Sequence, residues 1–200
     1  MSQDICPGCQ CALRHIGKVW PRLASVTAMT FPIDTRELVL RNGRIVRVRP
    51  LVSSDRAIYE RAVMALSPRS RYLRFFAPIP RLSERLLDQM THTDGHRHVA
   101  YVALTPDEAT AVGVVRYIRD SHDPETGEVA IAVADDWQGG GLGSQLLRQT
   151  VEHARLAGLE SLAATTMSEN RVAAGLLQTL GFSRVSASGP YSEHRLPLGR

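Results

Sequence analysis

The segment that most constrains the structure of this 200-residue chain reads Asp135-Asp136-Trp137-Gln138-Gly139-Gly140-Gly141-Leu142-Gly143-Ser144. It follows an alternating apolar run that predicts a strand over residues 128–134, and it precedes residues 143–157, whose apolar positions have helical spacing. Glycines let backbone N–H groups approach a ligand closely, and a helix N-terminus adds unpaired donors and the positive end of a dipole. The segment therefore predicts a cradle for a pyrophosphate.

Two common phosphate loops do not match this segment. A P-loop requires Lys followed by Ser or Thr after its last glycine, where this chain has Ser144-Gln145. A dinucleotide fingerprint that uses Gly141 and Gly143 requires a small residue where Leu146 stands. A flexible strand-to-helix connection is the simpler alternative, but four glycines within five residues are excessive for that role.

Alternating and helical patterns continue on both sides of the segment. Short turn-rich connections between three strands predict an antiparallel meander, after which strands and helices alternate. The further predicted strands are 44–49, 98–104, 111–119, 159–166, 182–185 and 194–198, and the further predicted helices are 53–65, 67–76, 83–90 and 170–180.

Composition limits the class of protein. With 44% hydrophobic and 22% charged residues the chain has the composition of a soluble globular domain, and it lacks the run of about 20 apolar residues that a membrane span requires. The net charge of +4 favours anionic partners without choosing among them. We expect a flexible leader over residues 1–35, without a secretory signal, and one domain over residues 36–200.

No metal site is predicted. Cys6, Cys9 and Cys11 with His15 lie within ten residues, whereas structural zinc sites divide their ligands between two separated pairs. The histidines at 92, 96 and 98 around Asp94 fit a solvated turn better than a ligand set.

Two motifs together resemble the GNAT N-acetyltransferases. Gln138-x-x-Gly141-x-Gly143 is similar to their acetyl-CoA motif Q/R-x-x-G-x-G/A, and the run from Asn170 through Leu176 to Leu180-Gly181-Phe182 is similar to their second motif. Over residues 43–198 the resemblance implies an α/β (α+β) fold, with a mixed, mostly antiparallel sheet of about six to seven strands and helices on both sides. It also implies acetyl-CoA as co-substrate, held by Ile131, Ala132, Val133, Gln138, Gly139, Gly140, Gly141, Leu142, Gly143, Ser144 and Asn170.

A narrower resemblance points to an acceptor. Residues 66–76, Asp94, Arg97 and residues 135–138 are similar to bacterial protein lysine acetyltransferases of the Pat type. This implies transfer to lysine in a target protein, such as an acyl-CoA synthetase. Independently of the resemblance, we expect a cytoplasmic monomer or homodimer without nucleic-acid or membrane partners. Pat-type domains are often fused to a cyclic-nucleotide-binding or acyl-CoA-synthetase-like domain, and the first 35 residues are too short for either.

Glu128 is the predicted general base. The ε-amine of lysine has a pKa of about 10.4, so a base must remove a proton before the amine attacks a thioester. Alternation puts Glu128 on one strand face with the small Ala130 and Ala132, and burial there would raise its pKa. An exposed glutamate paired with arginine is the alternative, and Glu125 and Glu169 are reserve candidates.

One residue departs from the family pattern. Many GNAT enzymes have a tyrosine that protonates the leaving thiolate where this chain has Leu177, and Pat-type proteins often lack it too. Two other functions stay open at this point. They are acetylation of a small-molecule amine and a non-catalytic acyl-CoA-binding regulatory module.

Overall fold

A computed structural model describes residues 35–199 of the chain. The predicted leader over residues 1–35, with its three cysteines, lies outside the described residues apart from Thr35. None of the helices within residues 35–199 is long and apolar enough to cross a bilayer.

The described residues form eight strands and five helices. The strands are β1 (Arg36–Val39), β2 (Ile45–Pro50), β3 (His98–Leu104), β4 (Ala111–Arg119), β5 (Thr126–Val133), β6 (Ser161–Met167), β7 (Ser183–Ser188) and β8 (Tyr191–Pro197). The helices are α1 (Arg56–Ala65), α2 (Pro68–Phe75), α3 (Glu84–Thr91), α4 (Leu142–Leu156) and α5 (Arg171–Thr179).

All eight strands belong to one mixed sheet in the order β1-β2-β3-β4-β5-β6-β8-β7. Every neighbouring pair is antiparallel except β5 and β6, which are parallel. The fold class is confirmed, but the predicted count of about six to seven strands is low by at least one. The missed strand is β1, a four-residue edge strand with mostly exposed side chains. It therefore lacks the alternation of apolar and polar residues that indicates a half-buried strand.

Helices cover both faces of the sheet. One face packs against α4 and α5 around a core that contains Tyr117, Leu146, Leu162 and Leu177. The other face packs against α1 to α3 around a second core that contains Tyr59, Leu87 and Val102. Successive side chains of β5 point to opposite faces of the sheet, so this strand presents residues to the α4–α5 side and to the α1–α3 side.

Candidate active site

The strands β5 and β6 separate in the middle of the sheet. They are paired only from Thr126 to Glu128 on β5, opposite Ser161 to Ala163 on β6. Beyond Glu128, β5 stays paired with β4 as far as Val133, while β6 continues alongside β8. The remaining half of β5 therefore has an open edge, which creates a gap through the sheet.

The backbone groups on this open edge can be assigned from the ladder. Asp120 donates its backbone N–H to the Thr126 carbonyl, and Ala134 donates to the Val112 carbonyl, so the even-numbered residues of β5 bond towards β4. Successive residues of a strand direct their backbone groups to opposite sides. The N–H groups of Ile131 and Val133 consequently face the gap, whereas the backbone of Ala132 is bonded to β4.

A cavity of about 730 Å³ fills the gap and is lined by residues from both faces of the sheet. On one side its wall includes Asn170, Leu176 and Leu177 from the α5 region, and on the other it includes Arg74 and Phe76 from the α2 region. Two reactants that enter from opposite faces can therefore meet beside β5.

Glu128 lies in the wall of this cavity, at the point where β5 and β6 part. Burial raises the pKa of Glu128 to about 7, although the nearby positive charge of Arg74 acts in the opposite direction. Near neutral pH the carboxylate can thus both accept and release a proton. Neither reserve candidate lines the cavity, and Glu169 lies 3.9 Å from Arg69 on the surface.

The glycine segment forms the N-terminus of α4. Gly141 is the residue that precedes the helix, and its φ of 90° is the left-handed conformation that glycine tolerates best. None of the described residues accepts a hydrogen bond from the backbone N–H groups of Leu142, Gly143 or Ser144. These donors, together with the helix dipole, suit the diphosphate of coenzyme A.

A hairpin braces the glycine segment from one side. The backbone N–H of Arg41 donates to the Gly140 carbonyl at 3.1 Å, and a Cβ on Gly140 would lie 3.1 Å from the Asn42 side chain. Arg44 lies over the ring of Trp137, with its guanidinium carbon 3.3 Å from the ring centroid. The glycines therefore allow a close approach by the protein itself as well as by a ligand.

Gln138 and Asn170 each have a structural partner. The side-chain amide of Gln138 donates to the Val133 carbonyl at 3.1 Å, which fixes the end of β5 and leaves the N–H of Val133 facing the gap. Asn170 caps α5, because its side-chain oxygen accepts from the Ala173 N–H at 3.1 Å. Asn170 also lines the cavity, so the capping role does not exclude contact with a ligand.

Asp135 joins the glycine segment to α2. Its carboxylate accepts hydrogen bonds from the backbone N–H and hydroxyl of Ser67 and from the hydroxyl of Ser70. The two segments that resemble Pat-type proteins are thus in direct contact. This contact sets the position of α2, and with it Arg74 and Phe76, relative to the end of β5.

The cavity also contains polar residues that the sequence did not reveal as site residues. Arg116 and His98 lie in its wall, next to the end of α3. Asp94, by contrast, holds a turn, because its carboxylate accepts from the backbone N–H groups of His96, Arg97 and His98. Arg116 went unnoticed because it stands inside an otherwise apolar strand pattern, and only the tertiary structure shows what surrounds it.

Comparison with known proteins gives the family. The model of the acetyltransferase (GNAT) family matches residues 66–182, which include β5, the glycine segment and α5. The chain belongs to the GNAT acetyltransferase family. Acetyl-CoA is accordingly its co-substrate, and the open N-terminus of α4 and the open edge of β5 fit that molecule.

Three relatives show where the chain lies within the family. It is 35% identical over 145 residues to an acetyltransferase of Pseudomonas aeruginosa, covering 72% of this chain and 77% of that protein. It is 25% identical over 172 residues to the acetyltransferase Pat of Mycolicibacterium smegmatis, covering 84% of this chain but only 50% of that protein. The crystal structure of the GNAT domain of S. lividans PAT matches with a TM-score of 0.77 and 28% identity, covering 82% of this chain and 96% of that one.

Proposed function

We propose that this acetyltransferase transfers the acetyl group of acetyl-CoA to the ε-amine of a lysine in a target protein, within a ternary complex and with Glu128 as the general base. The observation that carries the proposal is the position of Glu128 in the gap between β5 and β6, where burial raises its pKa to about 7. The similarity to Pat proteins supports a lysine acceptor.

Glu128 supplies what the acceptor lacks. Only about one lysine side chain in a few thousand is neutral at pH 7, since its pKa is about 10.4. A carboxyl group with a pKa near 7 is about half ionised at pH 7. Its ionised form can accept the proton of the amine while the nitrogen–carbon bond forms and the carbon–sulfur bond breaks. No covalent enzyme intermediate is needed, and the cysteines of the chain are confined to positions 6, 9 and 11.

The N-terminus of α4, the open edge of β5 and Asn170 position the donor. In this proposal the N–H groups of Leu142, Gly143 and Ser144 bind the diphosphate, and the open edge of β5 at Ile131 and Val133 hydrogen-bonds to the pantetheine arm. The N–H of Val133 stabilises the negative charge that develops on the thioester oxygen. Asn170 lies across the cavity, where its side chain contacts the amides of the arm.

The leaving thiolate has no acid at the usual family position. Leu177 is buried and lines the cavity, so its side chain offers no proton there. We propose that the thiolate departs unprotonated or takes a proton from water. Both routes are open to a moderately acidic thiol, and neither requires a protein group.

The substrate class proposed is a cytoplasmic protein, with an acyl-CoA synthetase as the first candidate. To test it, the purified chain is incubated with acetyl-labelled coenzyme A and a cell lysate, and the label is then located. We expect label on the ε-amines of protein lysines, and a loss of turnover of at least roughly a hundredfold in Glu128→Gln. The surface variant Glu169→Gln is the matched control and should retain its activity.

Two results would overturn the proposal. Label found only in small metabolites would indicate a small-molecule acceptor. If neither fraction is labelled while acetyl-CoA still binds, the chain is an acyl-CoA-binding module rather than an enzyme.

A further inference from the structure

Arg116 is a strongly basic group near the centre of the sheet, and it is almost completely buried, with 2% of its surface exposed. One guanidinium nitrogen, Nη1, donates to the Met90 carbonyl at 2.8 Å and contacts His98 Nε2 at 3.2 Å. The other, Nη2, is buried and has no hydrogen-bond acceptor among the described residues. An unsatisfied buried donor costs desolvation free energy that a hydrogen-bond acceptor would recover. The guanidinium can therefore bind an acceptor that enters the cavity.

No carboxylate of the described residues neutralises Arg116. The three acidic residues in the cavity wall are otherwise engaged, because Asp88 pairs with Arg56, Asp94 holds the turn before β3, and Glu128 interacts with Arg74. His98 does not add a competing charge, since burial and the neighbouring Arg116 lower its pKa to about 3. The ring is therefore neutral, with Nδ1 donating to the His92 carbonyl and Nε2 accepting from Arg116.

The remaining neighbours of Arg116 do not balance its charge either. The ring of Tyr59 faces the guanidinium with 5.3 Å between the guanidinium carbon and the ring centroid, and Arg74 repels it. Buried arginines are normally paired with an acidic group, and an arginine without one is strongly destabilising. The cavity wall thus contains an uncompensated positive charge.

Arg116 lies close to the proposed base. In the ladder it is paired with Ala130, two residues beyond Glu128 on the same face of the sheet. Diagonal neighbours of this kind have their Cα atoms roughly 7–8 Å apart. One small molecule, or one lysine with its adjoining residue, can therefore reach both side chains.

We propose that Arg116 forms a subsite for a carboxylate carried by the acceptor, so that the preferred acceptor combines an amine at Glu128 with a carboxylate at Arg116. This inference rests on the proposed function and narrows its substrate class. A guanidinium binds a carboxylate through charge-assisted, often bidentate hydrogen bonds, which fix the orientation of the acceptor as well as its affinity. The carboxylate can be that of an amino acid or the side chain of an acidic residue beside the target lysine.

Matched acceptors test the subsite on the unaltered protein. Nα-acetyllysine and N-acetylcadaverine each have one free amine and differ only in the carboxylate. A second pair consists of blocked peptides that place either Glu or Gln beside the acceptor lysine. We expect kcat/KM to be roughly tenfold or more higher for the acidic member of at least one pair. Preference in the second pair identifies a protein side chain as the source. Preference in the first pair alone identifies a free amino acid, which keeps the carboxylate subsite but replaces the protein acceptor proposed above.

A variant shows whether Arg116 causes the preference. Arg116→Gln should abolish the preference, mainly by raising KM for the acidic acceptor, whereas Arg61→Gln on the exposed side of α1 should keep it. Calorimetry of the acidic acceptor with coenzyme A already bound gives a readout that needs no turnover. Affinity for the acidic acceptor should fall in Arg116→Gln, while affinity for coenzyme A should not change.

The failures are distinguishable. Equal use of acidic and neutral acceptors in both pairs overturns the subsite but leaves Glu128 as the base. If acidic acceptors bind but none is acetylated, the proposed catalytic function fails while the subsite stands. If acidic acceptors bind no better than neutral ones, with or without turnover, Arg116 serves only the packing around Tyr59.

Discussion

At the scale of single residues, the environment of Glu128 determines its chemistry. The same carboxyl group on the protein surface would be fully ionised at neutral pH and a weak base. Its place at the point where two strands separate removes much of its hydration while leaving access from the cavity. Because burial shifts the pKa of this group, the free energy of unfolding depends on pH, and measuring that dependence tests the assignment independently of activity.

Glu128→Gln is expected to make stability less sensitive to pH. The pKa of Glu128 rises from an ordinary 4.5 to about 7 on folding, so the folded chain holds this proton more tightly than the unfolded chain. The stabilising contribution is complete below pH 4.5 and is lost as the pH rises through about 7. Above pH 7 the free energy of unfolding of Glu128→Gln should therefore exceed that of the unaltered chain by about 1–3 kcal/mol.

Urea unfolding of both proteins on either side of this pH range measures the difference. Glu169→Gln, which alters an exposed glutamate, is the matched control and should not show the same gain. An identical pH dependence for Glu128→Gln and the unaltered chain would mean that Glu128 ionises normally, and that its environment does not prepare it as a base.

Arg74 tunes the same group. Its positive charge favours the ionised form of Glu128 and so lowers the pKa that burial raises. Arg74→Gln should move the rising limb of the pH–activity profile to higher pH, because the carboxylate loses the charge that stabilises it. Arg69→Gln on the same helix changes a charge outside the cavity wall and should leave the profile in place. A shift to lower pH in Arg74→Gln would contradict this assignment.

At the scale of secondary structure, substitutions of the two glycines that flank α4 distinguish the effect of backbone strain from an effect on ligand binding. Gly141 and Gly158 flank the two ends of the helix with φ values of 90° and 77°. Alanine at either position should cost about 1–2 kcal/mol of stability, since a side chain is strained in this conformation. Only Gly141→Ala should also weaken coenzyme A binding, because only Gly141 adjoins the free N–H groups. Equal affinity in both variants would place the diphosphate elsewhere.

The N-cap of α5 can be separated from ligand contact in a similar way. Asn170→Ala should destabilise the chain by about 0.5–2 kcal/mol through the lost cap. Asn170→Ser restores a capping oxygen on a shorter side chain, so stability should recover while affinity for acetyl-CoA stays reduced. If affinity recovers together with stability, Asn170 acts only as a cap.

At the scale of the whole molecule, the sequence predicts the individual strands and helices better than the tertiary contacts between them. The meander, α4 and the alternation along β5 follow from periodicity, because each has a regular apolar pattern on its own. The short edge strand β1 carries no such pattern and was missed. Glu128 could be singled out because a carboxyl begins the predicted apolar strand that leads into the glycine segment.

Arg116 could not be interpreted in this way. Its partners come from the end of α3 and from β3, about twenty positions away along the chain. A single arginine in a strand pattern is more often a solvated side chain than a buried one. Only the packed structure shows that, within residues 35–199, its charge has no acidic partner beside the site. The proposed acceptor subsite therefore depends on tertiary contacts that periodicity does not encode.

The most direct test of catalysis by Glu128 is the pH dependence of kcat/KM for acetyl transfer to a lysine-containing acceptor, measured for the unaltered chain and for Glu128→Gln. We expect kcat/KM of the unaltered chain to rise through an ionisation near pH 7, as the pKa of Glu128 requires, and we expect that ionisation to be absent from the residual activity of the variant. The same ionisation and a similar rate in both proteins would contradict Glu128 as the base.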